Sequence, residues 1–134
     1  MSSDEHLRTV LLGGPTIAVV GASPNPARPS NQVAGYLIAH GFEVVPVRPK
    51  VGEILGRKCY PSLAAIPQPV DIVDVFRKPE ACPEIAEEAV GIGAQVLWLQ
   101  EGIISAEAEA LARAGGLTVV MDSCIKKVHS RLFP

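Results

Sequence analysis

The sequence predicts an α/β domain: a doubly wound, mainly parallel five-stranded sheet with helices on both faces. Three observations predict it. Short β-branched runs alternate with longer helical ones along the chain. The first of these runs, Thr16 to Val20, reads as a strand buried on both faces. The composition, 48% hydrophobic with only 4% aromatic, is rich in Ala, Val, Ile and Leu and suits helices packed on such a sheet.

Ser2 and Glu5 have capping-box spacing, and Leu7, Val10 and Leu11 follow at helical intervals, so a short helix comes first. Gly13-Gly14-Pro15 ends it. Thr16 to Val20 is a strand that stops at Gly21. After a polar, proline-rich loop, Ser30 caps a helix that buries Val33, Ala34, Leu37 and Ile38 and terminates at Gly41. Glu43 to Val47 is the second strand. Pro46 can donate no ladder hydrogen bond and belongs near its end. Gly52 to Pro61 is looser, with a short edge strand around Lys58-Tyr60, and Val70 to Phe76 is the next strong strand. The following helix turns Cys82, Ile85, Ala86, Ala89 and Val90 inward and Glu84, Glu87 and Glu88 outward. Pro79 and Pro83 both suit its first turn. Gln95 to Leu99 is a strand, Ser105 to Ala114 an Ala-rich helix, and Leu117 to Met121 the last strand. A helical turn or two follows Ser123.

A length of 134 residues fits one domain, residues 1–134, with a core that needs neither disulfides nor metals. A net charge of -2 gives no long-range pull on nucleic acid or an anionic membrane. No apolar run is long enough to span a bilayer, and the polar N-terminus lacks the pattern of a signal peptide. Cys59, Cys82 and Cys124 are odd in number and widely spaced, so a reducing, cytoplasmic setting is expected. A homodimer or a protein partner is left open, because buried strands and exposed helices look alike in monomers and dimers.

In open parallel sheets a ligand lies beyond the carboxyl ends of the strands. Here those ends are Gly21-Ala22-Ser23-Pro24-Asn25, Val47-Arg48-Pro49-Lys50, Phe76-Arg77-Lys78, Leu99-Gln100-Glu101-Gly102 and Met121-Asp122-Ser123-Cys124. The first is a glycine turn leading into a helix start, where free N–H groups and the helix dipole favour phosphate. Arg28, Arg48, Lys50, Arg77 and Lys78 put five of the twelve basic residues at this one rim. The first loop is not the dinucleotide fingerprint, since Ser23 and Pro26 stand where G-x-G-x-x-G needs glycines. The second strand ends in Arg48 and Lys50 rather than in the acid that accepts from the ribose of NAD. Basic groups there favour a ribose bearing a phosphate, as in NADP or coenzyme A.

Several segments in this order carry a family resemblance. They are Ile17 to Ser23, Arg28-Pro29-Ser30, Val45 to Pro49, Val70 to Arg77, Leu97 to Ile103, and Met121 to Ile125. Over nearly its whole length the chain resembles the small CoA-binding proteins, and more distantly the CoA-binding domain of the succinate–CoA ligase alpha subunit. The resemblance implies a Rossmann-like fold binding coenzyme A or an acyl-CoA. It implies a pyrophosphate cradled by Gly21, Ala22, Ser23, Pro24 and Asn25 with Arg28 and Ser30. Val47, Arg48, Pro49 and Lys50 would flank the adenosine end, with Lys50 on a phosphate. Val75, Phe76 and Arg77 would line the nucleotide, and Gln100, Glu101 and Gly102 the path of the pantetheine arm. The chain departs from the family pattern at Arg48, where many relatives have Asn, and at Ser123, where Arg or Asn is usual.

Catalytic groups are harder to find. The ligases use a phosphorylated histidine carried on a further domain. His6, His40 and His129 look like surface residues, without the spacing of metal ligands. Glu101 is a lone carboxylate at the rim, expected to accept backbone N–H bonds or cap the loop before Ser105. Asp71 and Asp74, three apart on one strand, point to opposite faces and cannot pair. Cys124 sits at the same rim, where it is either a small apolar filler or a partner for the thiol of coenzyme A. The expectation is a CoA-binding protein that is not an enzyme. The rivals are an NADP-dependent oxidoreductase and a regulatory or interaction domain without a ligand.

Overall fold

A computed structural model describes residues 4–134. Its strands are β1 (Thr16–Val20), β2 (Glu43–Val47), β3 (Glu53–Ile54), β4 (Arg57–Lys58), β5 (Ile72–Val75), β6 (Val96–Leu99) and β7 (Thr118–Val120). Its α-helices are α1 (Asp4–Leu12), α2 (Pro29–Ala39), α3 (Cys82–Gly91), α4 (Ala106–Ala114) and α5 (Ile125–Leu132). Five strands form a parallel sheet in the order β2-β1-β5-β6-β7, while β3 and β4 make a separate antiparallel hairpin.

The apolar runs are buried on both faces because successive side chains point opposite ways. Ala18, Val20, Val73, Val75, Leu97 and Leu99 meet α3 and α4 through Cys82, Ile85, Ala86, Ala108 and Ala112. Ile17, Val19, Ile72 and Trp98 meet α1, α2 and α5 through Leu7, Leu11, Leu37, Ile125 and Leu132. Helices therefore cover both faces of the sheet, as the sequence predicts. Below the sheet's amino end, Asp71 ties three strands together. Its carboxylate accepts from the Thr16 amide at 2.9 Å and from Gln95 Nε2 at 3.3 Å.

Asp74 is different. It lies on the central strand between Val19 and Trp98 in register, fully buried, and neither carboxyl oxygen has a hydrogen-bond partner among the described residues. Burial pushes its carboxyl well above the usual carboxylate range.

Several local expectations change. The expected Ser2 cap lies outside the described residues. Ser30 is not a cap: Arg28 occupies that position, Pro29 opens α2 with its preset φ, and Ser30 is buried in the first turn. Pro79 and Pro83 are both used, the first opening a 3₁₀ turn (Pro79–Ala81) and the second the α-helix that continues it. Ser105 does cap α4, its Oγ accepting from the Ala108 amide at 3.1 Å. The expected edge strand splits in two: Arg57–Lys58 pairs with β3, and Tyr60 makes a single parallel bridge to Val47. Pro46 is accommodated because it lies on edge strand β2, where its carbonyl accepts from the Tyr60 amide at 3.0 Å.

His129 is not a surface residue. It is buried between α2 and α5, with Tyr36 Oη 2.7 Å from its Nδ1 and the rings of His40, Phe42 and Phe133 around it. Burial, and then His40, hold its imidazole below the ordinary value of 6.5.

Candidate ligand-binding site

From β1 the chain winds first to β2 on one side and later to β5 on the other. The crossovers therefore diverge between β1 and β5, which opens a crevice at the carboxyl ends of those strands. Gly21 sits at the mouth of that crevice. Its φ is +84°, and a Cβ there would stand 2.7 Å from the Phe76 carbonyl oxygen and 3.0 Å from Arg77 Cδ. Only glycine lets the two strand ends approach this closely.

A groove of about 1540 Å³ runs along this edge of the sheet. The first loop supplies Gly21, Ser23, Pro24, Asn25, Arg28 and Ser30 to its wall. Val47, Arg48 and Pro49 enter from β2, Phe76, Arg77 and Lys78 from β5, and Gln100 and Glu101 from β6. Of the residues expected from sequence, Ala22, Lys50, Val75 and Gly102 are not part of the lining. Ala22 and Val75 are buried behind it, whereas Lys50 and Gly102 are exposed.

The first loop is held by its own hydrogen bonds. The Gly21 and Ala22 amides both donate to the Val47 carbonyl, at 3.0 and 3.4 Å, so they are not the free phosphate donors the sequence suggested. Arg48 donates to the Ala22 carbonyl at 3.2 Å and clamps the loop from the β2 side. Asn25 Oδ1 accepts from the Ala27 amide at 2.9 Å, and Asn31 Nδ2 donates to the Ser23 carbonyl at 2.9 Å. Loop donors without a bond to another described residue include the Ser23 amide and the Ser30 amide and hydroxyl. Ser23 and Ser30 are both more than nine-tenths buried and both line the groove.

The β6–β7 end of the groove has another character. Gln100 is 4% exposed, and its Oε1 accepts from the Ile125 amide at 3.1 Å. That bond fixes which end of the side-chain amide is which. Nε2 then has no partner among the described residues. Glu101 neither caps a loop nor accepts from backbone; both its oxygens pair with Lys127 Nζ, at 3.0 and 3.1 Å. Asp122, with φ +54°, accepts from the Gly102 amide at 2.7 Å and joins the two loops. Ser123, one of the two departures from the family pattern, accepts from Trp98 Nε1 at 2.8 Å through its carbonyl. The next residue, Cys124, lines the groove.

Sequence reasoning missed the wall opposite α2. Pro61, Ser62 and Leu63 reach the groove because the Val47–Tyr60 bridge brings their segment to the rim. Ala81, Ile85 and Ile103 add apolar surface. Glu84 and Glu88, assigned to solvent by helical periodicity, line the groove one turn apart. Burial, and then Glu84, raise the Glu88 carboxyl above its ordinary value. Two carboxylates therefore share the groove wall with the basic side chains of Arg28, Arg48, Arg77 and Lys78.

Residues 15–130 match the family model described as a CoA binding domain. The chain belongs to the CoA-binding domain family. The protein is similar to the uncharacterized protein YneT of Bacillus subtilis (strain 168), with 41% identity covering 96% of this chain and 95% of YneT. It is 26% identical to acetate–CoA ligase [ADP-forming] I of Archaeoglobus fulgidus, where the match covers 87% of this chain but only 18% of the ligase. A hypothetical protein from Pyrococcus horikoshii OT3 superposes with a TM-score of 0.96 at 44% identity, covering 99% of this chain and 94% of that one. The matched range of the CoA-binding domain family contains every groove residue named above. Among the described residues no helix is long and apolar enough to cross a membrane.

Proposed function

We propose that the groove binds coenzyme A or an acyl-CoA, stoichiometrically and without catalysis by this chain. The observation that carries the reading is the position of the groove. It follows the carboxyl edge of the sheet across the β1–β5 switch point, with four basic side chains on one part of its wall. Membership of the CoA-binding domain family supports coenzyme A as the phosphate-bearing ligand of such a groove.

In this reading the pyrophosphate lies against the Ser23 amide and Ser30 hydroxyl, with Arg28 and Arg77 as charge partners. Arg48 and Pro49 flank the adenosine end, and Lys50 reaches the ribose phosphate from outside the wall. The pantetheine arm runs towards β6, where Gln100 Nε2 can donate to one of its amide carbonyls. Glu101 is neutralised by Lys127, which leaves that end of the groove without a net charge to oppose an acyl group.

Thermal unfolding with coenzyme A, dephospho-CoA, NADP and NAD in parallel tests the reading. A ligand at about a hundred times its dissociation constant adds roughly 2.7 kcal/mol, about 10 °C in midpoint for a chain of this size. The expected order is coenzyme A above dephospho-CoA, with NAD near zero. A larger shift with NADP than with coenzyme A, or no shift with any of them, overturns it.

A further inference from the structure

The strand ends along the groove differ in charge, with the carboxylates of Glu84 and Glu88 entering separately from α3. Arg28, Arg48, Arg77 and Lys78 serve the β2-β1-β5 portion, whereas the β6–β7 portion presents Gln100, the Glu101–Lys127 pair and Cys124. A ligand with phosphates at one end and a thiol at the other can satisfy this gradient in one direction only, phosphates towards β2 and thiol towards β7. That direction brings the thiol to Cys124.

Cys124 differs from the other two cysteines. Cys59 and Cys82 are buried, and burial raises both thiols above their ordinary value, which suppresses the reactive thiolate. Cys124 is half-buried, lines the groove, and occupies the N-cap position of α5 with extended backbone. Lys127, held by Glu101 first of all, also lies within electrostatic reach of the Cys124 sulfur. The second mark of a ligand here is Gln100, more than nine-tenths buried and lining the groove, with its Oε1 fixed by the residue after Cys124 and its Nε2 without a partner among the described residues.

We propose that Cys124 is a thiol–disulfide exchange site for the thiol end of the ligand in this groove, so that the protein captures coenzyme A covalently when it meets a coenzyme A disulfide. This rests on the reading of the groove as a coenzyme A site. The Cys124 thiolate attacks one sulfur of the disulfide, the sulfur–sulfur bond breaks, and a protein–coenzyme A mixed disulfide forms. The second coenzyme A leaves as a thiolate and takes up the proton that Cys124 lost. One disulfide is consumed, one is made, and no further oxidant is needed.

The test compares two symmetrical disulfides, coenzyme A disulfide and pantethine, which share the reacting end but differ in the nucleotide. Protein free of reductant is incubated with each and followed by intact mass and peptide mapping, while calorimetry with reduced coenzyme A measures binding separately. The expected result is a single coenzyme A adduct on Cys124, formed at least tenfold faster than the pantethine adduct. The rate should saturate with disulfide concentration, and C124A should give no adduct. If coenzyme A binds in the calorimeter but the two disulfides react at equal rates, or the adduct falls elsewhere, the exchange site is overturned and the binding reading stands. If reduced coenzyme A does not bind, the binding reading itself has failed.

Discussion

Replacing Asp74 with asparagine removes an ionisable group from the middle of the sheet while keeping nearly its shape. In the native protein this carboxyl lies between Val19 and Trp98 under the helix layer, without a partner among the described residues, and burial raises its pKa well above 3.8. The sign follows from linkage. A group whose folded value is raised contributes stability that is fully present below about pH 3.8 and is lost as pH rises through the folded value. Within that window the unfolded chain releases a proton that the folded chain retains, so wild type loses about 1.4 kcal/mol per pH unit relative to D74N. With an unfolding entropy of roughly 2.1 cal/mol/K per residue, that is about 5 °C in midpoint for each pH unit. The assay is thermal or urea unfolding of both proteins at a series of pH values from 4 upward. D74N should gain on wild type steadily with pH. A difference that stays flat from pH 4 to pH 6 would refute the claim that Asp74 is buried without a partner.

Gly21→Ala places a Cβ against the Phe76 carbonyl at a position with φ +84°, and should cost about 1–3 kcal/mol in unfolding experiments. It should also weaken coenzyme A in titrations, because the β1 and β5 ends must separate. His129→Phe keeps the ring contacts but loses the Tyr36 bond, at a cost of about 1 kcal/mol. Since the folded value of His129 is lowered, wild type has this group's stability above pH 6.5 and loses it as pH falls through the lowered value; the variant should lack that acid limb in a pH series of melts. Arg28→Ala should reduce coenzyme A affinity several-fold more than Lys50→Ala, because Arg28 lines the groove and Lys50 does not.

The architecture was legible because periodicity reports burial directly. Thr16–Val20 stops at Gly21, Glu43–Val47 is apolar after its first residue, and both strands have the expected bounds. The rim was legible for the same reason, since fixing where strands stop fixes which residues stand at their ends. Groove residues supplied from outside the strand ends were not legible. Glu84 and Glu88 lie on the polar side of their helix by period, yet that side faces the groove rather than open solvent. Ser62 and Leu63 follow a segment with no periodicity, placed only by the long-range bridge from Tyr60 to Val47. Hydrogen bonding within the first loop was likewise invisible: nothing in Gly21-Ala22 announces that both amides turn to Val47 rather than to a ligand. His129 looked solvated in a short polar tail, and is buried because α5 lays it against Tyr36 of α2 and His40 at the C-cap of that helix.

Calorimetric titration of reduced coenzyme A into the protein, repeated with R28E and at low and high salt, tests the central claim most directly. The groove predicts one saturable site, weakened by salt and by the charge reversal while the melting curve without ligand is retained. No saturable binding of coenzyme A by folded wild-type protein, or binding indifferent to both changes, would contradict it.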